Sequence, residues 1–278
     1  MTTDTFSLTA TDGNSVYGKY WLPEEAPKGI LVIIHGFYEH LGRYEHVAQG
    51  FVKAGYGAYA IDQRGHGHTK GRRGHAVLAQ VLNDIETLLM HVRAEHTSLP
   101  VILYGHSWGG CNVSNFLLRK TTNELSAAIL SSPWLRLALV PPKGKEILGN
   151  MMAKIWPSLT VANKLEEGSL SRDPAVEKAY VDDPLVHDKI SAGIFKEVTQ
   201  AGPWAISHAQ ELKVPTLVMH GDKDPVIDFK GSEEFAKNAG ETATFHPWPN
   251  LRHEPHNEPE QQQVIDRMIL FCDQILQQ

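Results

Sequence analysis

The sequence predicts an α/β fold, a mainly parallel sheet with helices on both faces and an inserted helical lid, or cap. Three observations predict it. Apolar strand-length runs alternate with helix-length segments, the arrangement expected of a parallel sheet covered on both sides. One of those runs, Ile30-Leu31-Val32-Ile33-Ile34, is continuous rather than alternating, as a strand buried on both faces requires. The rhythm then stops for about 80 residues between Ser132 and Leu212, where prolines stand at 133, 141, 142, 157, 174, 184 and 203. The chain therefore divides into a first core part (1–131), a helical lid (132–212) and a second core part (213–278). Irregular segments this long are usually functional.

In chain order, Ser15–Leu22 alternates and predicts an edge strand, followed by the buried strand Ile30–Ile34. Val47–Ala54 predicts a short helix and Tyr56–Ile61 a strand after the turn at Gly55. Val77–Ala94 places Val81, Ile85, Leu88, Leu89 and Val92 on one helical face. Pro100–Tyr104 predicts a buried strand, Gly110–Lys120 a helix with Val113, Phe116 and Leu117 at helical spacing, and Ala127–Leu130 another strand. In the lid, Trp134–Val140 and Ile147–Leu159 are apolar enough to pack on the core, line an acyl tunnel or touch lipid. The pattern resumes with strands at Val214–Met219 and Thr242–Pro247 and a last helix over Glu260–Leu276.

Composition narrows the function classes. The 278 residues are 42% hydrophobic and 21% charged, with a formal net charge of −6. That is ordinary for a globular protein. The charge balance argues against a nucleic-acid partner, because Lys70-Gly71-Arg72-Arg73 is too short to form a basic stripe. Met1–Gly13 is polar and lacks a signal-peptide core, and no window approaches the roughly 20 apolar residues of a membrane span. The two cysteines, Cys111 and Cys272, are expected to be reduced core residues, which suits a cytoplasmic protein. Of the 15 histidines, the tightest clusters, around His66–His68 and His253–His256, lack H-E-x-x-H spacing and cysteine partners. No metal and no other cofactor is therefore predicted. G-x-G-x-x-G after a strand is absent as well.

The chemistry centres on Gly105-His106-Ser107-Trp108-Gly109, a G-x-S-x-G pattern between a strand and a helix. That context makes it a nucleophile elbow, the strained turn that exposes a serine hydroxyl in an α/β-hydrolase fold. Ser107 needs a base and a group that fixes the base, and in this fold the order is serine, acid, histidine. Asp222 and Asp224 both follow the strand ending at Met219. Asp224 is chosen, because Gly221-Asp222 makes the turn and Asp224 emerges from it. Of His246, His253 and His256, the first sits within a strand pattern. His253 lies in the following loop and is the predicted base, with His256 in reserve. The oxyanion donors are the Trp108 N–H, just after the nucleophile, and the Phe37 N–H in the loop after the third strand.

With these parts in place, the chain resembles the monoacylglycerol lipase and lysophospholipase family of serine α/β-hydrolases over nearly its whole length. The resemblance rests on His35-Gly36-Phe37-Tyr38-Glu39-His40-Leu41-Gly42-Arg43-Tyr44, Asp62-Gln63-Arg64-Gly65-His66-Gly67, the elbow, Ser171-Arg172-Asp173-Pro174 and Tyr180-Val181-Asp182-Asp183-Pro184-Leu185. It implies a substrate-binding set of Glu39, Arg43, Tyr180 and His256 around a glycerol headgroup, which moves His256 from reserve base to headgroup contact. Without the resemblance, Glu39 and Arg43 would read as a surface ion pair. The chain departs from the family at Phe37 and Tyr38, where small residues are common, and at Ile227, where the vertebrate enzyme has a cysteine. The expected activity is hydrolysis of monoacylglycerol, a small single-chain lipid ester, to fatty acid and glycerol. Peripheral membrane contact is expected through the lid. The alternatives are a generic carboxylesterase, a lysophospholipase that meets phosphate with Arg43 and Arg136 or Lys143, and a ligand-binding receptor on a hydrolase scaffold.

Overall fold

A computed structural model describes residues 1–139 and 143–277. Ten strands and eight α-helices are present among them: β1 (Thr2–Thr9), β2 (Ser15–Leu22), β3 (Ile30–Ile34), α1 (Glu45–Lys53), β4 (Gly57–Ile61), α2 (Leu78–Glu95), β5 (Val101–His106), α3 (Trp108–Arg119) and β6 (Ala127–Ser131); then α4 (Lys143–Ile155), β7 (Thr160–Ala162), α5 (Pro174–Asp182), β8 (Lys189–Ser191), α6 (Ala192–His208), β9 (Thr216–Gly221), α7 (Phe229–Ala239), β10 (Ala243–Trp248) and α8 (Gln261–Leu276). Eight strands form one sheet in the order β1-β2-β4-β3-β5-β6-β9-β10. The first two pairings, β1 with β2 and β2 with β4, are antiparallel, and all the rest are parallel.

Strands β3, β4, β5, β6 and β9 are buried at every residue, which is why their sequences are mainly apolar runs, with polar residues such as His106, Ser131 and His220 only towards their ends. Two apolar cores flank the sheet. One joins Val32, Leu103 and Leu130 to α2, α3 and α6; the other joins Leu31, Ile33 and Tyr104 to α1 and α8. The α2 face read from the sequence, Val81 to Val92, faces the first core.

Four departures from the sequence expectations have physical causes. β2 is not an edge: β1 pairs with it along its whole length and takes the edge position. β1 is a threonine-rich strand that buries only Leu8 and half-buries Phe6, so it carries almost no apolar signal. α7 also escaped detection, because the face it buries includes Gly231, Ser232, Ala236 and Ala239, small side chains with little hydrophobic contrast. The segment between β6 and β9 is not purely helical, since β7 and β8 form a short antiparallel pair within it. Finally, α6 runs through Pro203 for 17 residues. An interior proline costs about 3 kcal/mol. Burial of Ile194, Val198, Ala205 and Ile206 on the same helix offsets it, at roughly 1.5–3 kcal/mol for each large side chain.

In the first part of the 132–212 segment, Trp134 and Leu135 pack into the core. Val140, Pro141 and Pro142 lie outside the described residues. On α4, Ile147, Met151 and Ile155 recur every fourth residue and stand 69%, 49% and 72% exposed, with Trp156 beside them at 51%. This stripe faces solvent instead of packing on the core.

Candidate active site

β5 delivers the chain to Ser107, and α3 begins one residue later. Ser107 adopts φ 51°, ψ −117°, a region an L-residue occupies only under strain of about 1–3 kcal/mol. The turn is held by Ser107 N–H donating to Ser131 O (3.0 Å) and by Cys111 and Trp134 N–H donating to Ser107 O (2.9 and 2.8 Å). Its two glycines are demanded by space. A Cβ on Gly105 would lie 2.7 Å from Val113 Cγ2, and one on Gly109 would overlap the carbonyl oxygens of Ile34 and His35.

Ser107 Oγ lies 3.0 Å from His253 Nε2, and His253 Nδ1 lies 2.7 Å from Asp224 Oδ2. The sequence separates these residues by up to 146 positions. The sheet brings them together, because β5 and β9 are parallel and end at the same edge. His253 is 4% exposed and both other side chains are buried. Burial alone would lower the His253 pKa, yet the Asp224 charge and hydrogen bond raise it above the ordinary histidine value. Burial would likewise raise Asp224, but His253 and His220 together hold it well below the usual carboxylate range. The aspartate therefore stays ionised while the imidazole is poised to take a proton, which meets the requirement for a serine base. Asp222 stands exposed in the turn and accepts the Asn250 N–H (2.7 Å). His246 remains on β10, against Trp248.

The loop after β3 faces the elbow. Among the described residues, no backbone carbonyl accepts the Phe37 or the Trp108 N–H, so both are available to an incoming oxyanion. Glu39 Oε1 accepts the Gly36 N–H (2.6 Å) and fixes this loop. Tyr38, at φ 71°, is pinned by two bonds: its carbonyl accepts the His187 N–H (3.0 Å) and its hydroxyl accepts from Asn163 Nδ2 (2.9 Å). The Phe37 ring stands edge-on to Trp108 at 5.0 Å.

A cavity of about 300 Å³ opens on Ser107 and His253. Its lining mixes apolar side chains, Trp134, Leu137, Val226 and Ile227 among them, with polar ones that include Tyr38, Glu39, Lys164 and Tyr180. It adjoins an outer cleft of about 850 Å³ and shares Tyr38, Asn163 and Tyr180 with it. The outer cleft is larger, but neither Ser107 nor His253 borders it, so the inner cavity is where ester chemistry has its groups.

Of the four residues expected at a headgroup, Glu39 and Tyr180 reach the inner cavity and the other two do not. Arg43 lies behind Glu39. Its Nη1 donates to Glu39 Oε2 and Glu254 Oε1 (2.6 Å each), and its Nη2 donates to Glu254 Oε2 (2.7 Å). The Tyr180 ring covers its guanidinium at 4.8 Å. Arg43 is therefore a buried tie between the oxyanion loop and the residue after His253, with its charge consumed by two carboxylates. His256 is fully buried, stacked on Tyr44 at 4.9 Å with Nδ1 3.4 Å from Tyr104 OH, and burial pushes its pKa down to about 3. The cations weighed for a phosphate are committed too: Arg43 as above, and Arg136 to Asp228 and Glu234. The Lys143 side chain lies outside the described residues.

Arg43→Met should destabilise the fold by about 3–5 kcal/mol, because it strands Glu39 and Glu254 as buried carboxylates without a counter-charge. Urea unfolding measures this; a loss below 1 kcal/mol would contradict the tie.

Sequence reasoning missed Glu254 and His220. Glu254 gave a signal only through its adjacency to His253. His220 stands four residues before Asp224, at the end of β9, and both ring nitrogens are bonded, to Ser232 Oγ (2.7 Å) and Asp224 Oδ2 (2.9 Å). Among the described residues no cluster of three or more His, Cys, Asp or Glu side chains is arranged to hold a metal, and no helix is long and apolar enough to cross a membrane.

Comparison with known proteins places this site in context. Residues 25–260 match the family described as Serine aminopeptidase, S33. A monoacylglycerol lipase of Mycolicibacterium smegmatis is 38% identical over 94% of this chain and 93% of its own length. An uncharacterized abhydrolase domain-containing protein of Dictyostelium discoideum is 35% identical over 93% of this chain, which spans only 28% of that longer protein. The crystal structure of Paleococcus ferrophilus monoacylglycerol lipase superimposes with a TM-score of 0.84 at 27% identity, covering 94% of this chain and 98% of the other.

Proposed function

Because the chain belongs to the Serine aminopeptidase, S33 family, in the monoacylglycerol lipase and lysophospholipase group of serine α/β-hydrolases, and is a carboxylic ester hydrolase, we propose that it cleaves monoacylglycerol to fatty acid and glycerol through an acyl-enzyme. The observation that carries this reading is the 300 Å³ cavity, lined by apolar and polar side chains, with Ser107 and His253 on its wall. A single acyl chain suits the apolar lining residues Trp134, Leu137 and Ile227, and a small hydroxylated headgroup suits Tyr38, Glu39 and Tyr180. The relatives named monoacylglycerol lipase support the same choice.

In this reading Ser107 Oγ attacks the ester carbonyl while His253 Nε2 takes its proton. Asp224 stabilises the imidazolium that forms and holds it in place. The Phe37 and Trp108 N–H groups receive the oxyanion, each contributing about 2.7–4 kcal/mol to the barrier reduction. His253 then protonates the departing glycerol oxygen. A water deprotonated by His253 attacks the acyl-enzyme carbonyl; the bond to Ser107 Oγ breaks as His253 returns that proton to the serine oxygen, and the fatty acid leaves.

Against a phosphate-bearing headgroup stand the neutralised Arg43 and Glu39 on the cavity wall; Lys164, also on that wall, is the cation such a headgroup would have to use. The 132–212 segment acts as a lid, and the exposed stripe Ile147, Met151 and Ile155 gives it a face for the surface of a lipid bilayer, on a protein that works in the cytoplasm. Monoolein in vesicles should turn over at least tenfold faster than oleoyl lysophosphatidylcholine. Ile147→Ser with Ile155→Ser should slow the vesicle reaction and leave a soluble short-chain ester untouched. Preference for the lysophospholipid would overturn the substrate, and equal slowing on both esters would overturn the membrane face.

A further inference from the structure

The Asp224 carboxylate serves two imidazoles through one oxygen. Oδ2 accepts the His253 Nδ1–H at 2.7 Å and the His220 Nε2–H at 2.9 Å, while Oδ1 accepts the Val226 and Ile227 N–H groups at 2.8 and 3.0 Å. His220 is fully buried. A carboxylate only accepts, so Nε2 donates to it, and Nδ1 is held 2.7 Å from the Ser232 hydroxyl. Ser232, on α7, thus aligns His220, on β9, against the aspartate that orients His253.

We propose that His220 is a positioning residue for ester hydrolysis: its imidazole, aligned by Ser232, fixes the Asp224 carboxylate and limits the negative charge that its Oδ2 presents to His253. The proposal rests on the reading of Ser107, His253 and Asp224 as the catalytic set. The geometry supports it in two ways. Two N–H donors on one oxygen compete for its charge, so each weakens the other's pull. Four donors around one carboxylate also leave it no second rotamer, and orientation is what a serine base needs from its acid.

The other groups facing His253 are Glu254 beside it, Glu39 on the oxyanion loop, and His106 and His256. Burial keeps both histidines neutral at ordinary pH, and Arg43 holds Glu254 ionised against its burial. None of them is bonded to His220, whose hydrogen bonds go to Ser232 and Asp224, so a shift in the His253 titration on replacing His220 reports on Asp224.

The experiment measures kcat and KM against pH on a soluble p-nitrophenyl ester for the wild type, His220→Leu, His220→Gln and Ser232→Ala. His220→Leu should lower kcat about 10–100-fold, the usual cost of losing a group that orients a site residue, with KM within about twofold. Its acid limb should move to higher pH, because Oδ2 then presents its full charge to His253 and stabilises the protonated ring. His220→Gln keeps an N–H donor and should recover most of kcat with the acid limb near the wild-type position. Ser232→Ala should move the acid limb the same way by a smaller amount, and this arm carries the test if His220→Leu fails to fold. Coincident acid limbs for wild type and Ser232→Ala, or equal losses in the Gln and Leu variants, would overturn the proposal. Ser107→Ala run alongside separates the two readings: full activity there would sink the catalytic set itself, whatever His220 does.

Discussion

Ser107→Ala should lower kcat by about a millionfold, the scale on which removing a serine nucleophile collapses a coupled triad to its background. The expectation follows from geometry. Ser107 Oγ lies 3.0 Å from His253 Nε2, at the tip of a strained turn on the cavity wall. Because that φ of 51° is disfavoured for any residue with a Cβ, alanine gains no relief from strain. Thermal stability should therefore change by less than about 1 kcal/mol, as expected of a site without a lost core contact. A fluorophosphonate probe should label the wild type and leave the variant unlabelled. Retained turnover, or labelling of another residue, would refute the nucleophile.

Asp224→Asn should lower kcat by about 10⁴-fold with KM little changed. All four donors around this side chain are N–H groups: His253 and His220 on one oxygen, Val226 and Ile227 on the other. An asparagine must turn its NH₂ toward one of those pairs, so donor meets donor in either flip. The relief open to it is a His253 tautomer with the proton on Nε2, which can no longer accept a proton from Ser107. Fluorophosphonate labelling should slow in parallel with kcat, since both need the serine proton removed. A variant with normal labelling and normal turnover would show that Asp224 only braces the turn.

Much of the fold was legible because burial on both faces of a parallel sheet leaves continuous apolar runs, as at Ile30–Ile34. The elbow was legible because its spacing is steric: Gly105 and Gly109 leave no room for a Cβ. β1 and α7 were not legible, since one buries a single apolar side chain, Leu8, on a threonine-rich edge and the other buries mainly small residues. The long helix α6 was obscured by Pro203, a local signal that tertiary packing overrode.

By itself, then, the sequence determined the buried strands of the sheet and several of the helices between them, the family, and candidates for nucleophile, acid, base and oxyanion donors. Each is encoded locally, in a turn, a periodicity or the residues that follow a strand. Only the tertiary structure decided what those residues meet. It turned Arg43 from a headgroup contact into a tie between Glu39 and Glu254, sank His256 beneath the cavity, and set a second imidazole, His220, on Asp224. The physical reason is that a buried charge or ring nitrogen takes its role from partners within about 3 Å, and those partners converge from distant strands and loops only when the sheet is assembled.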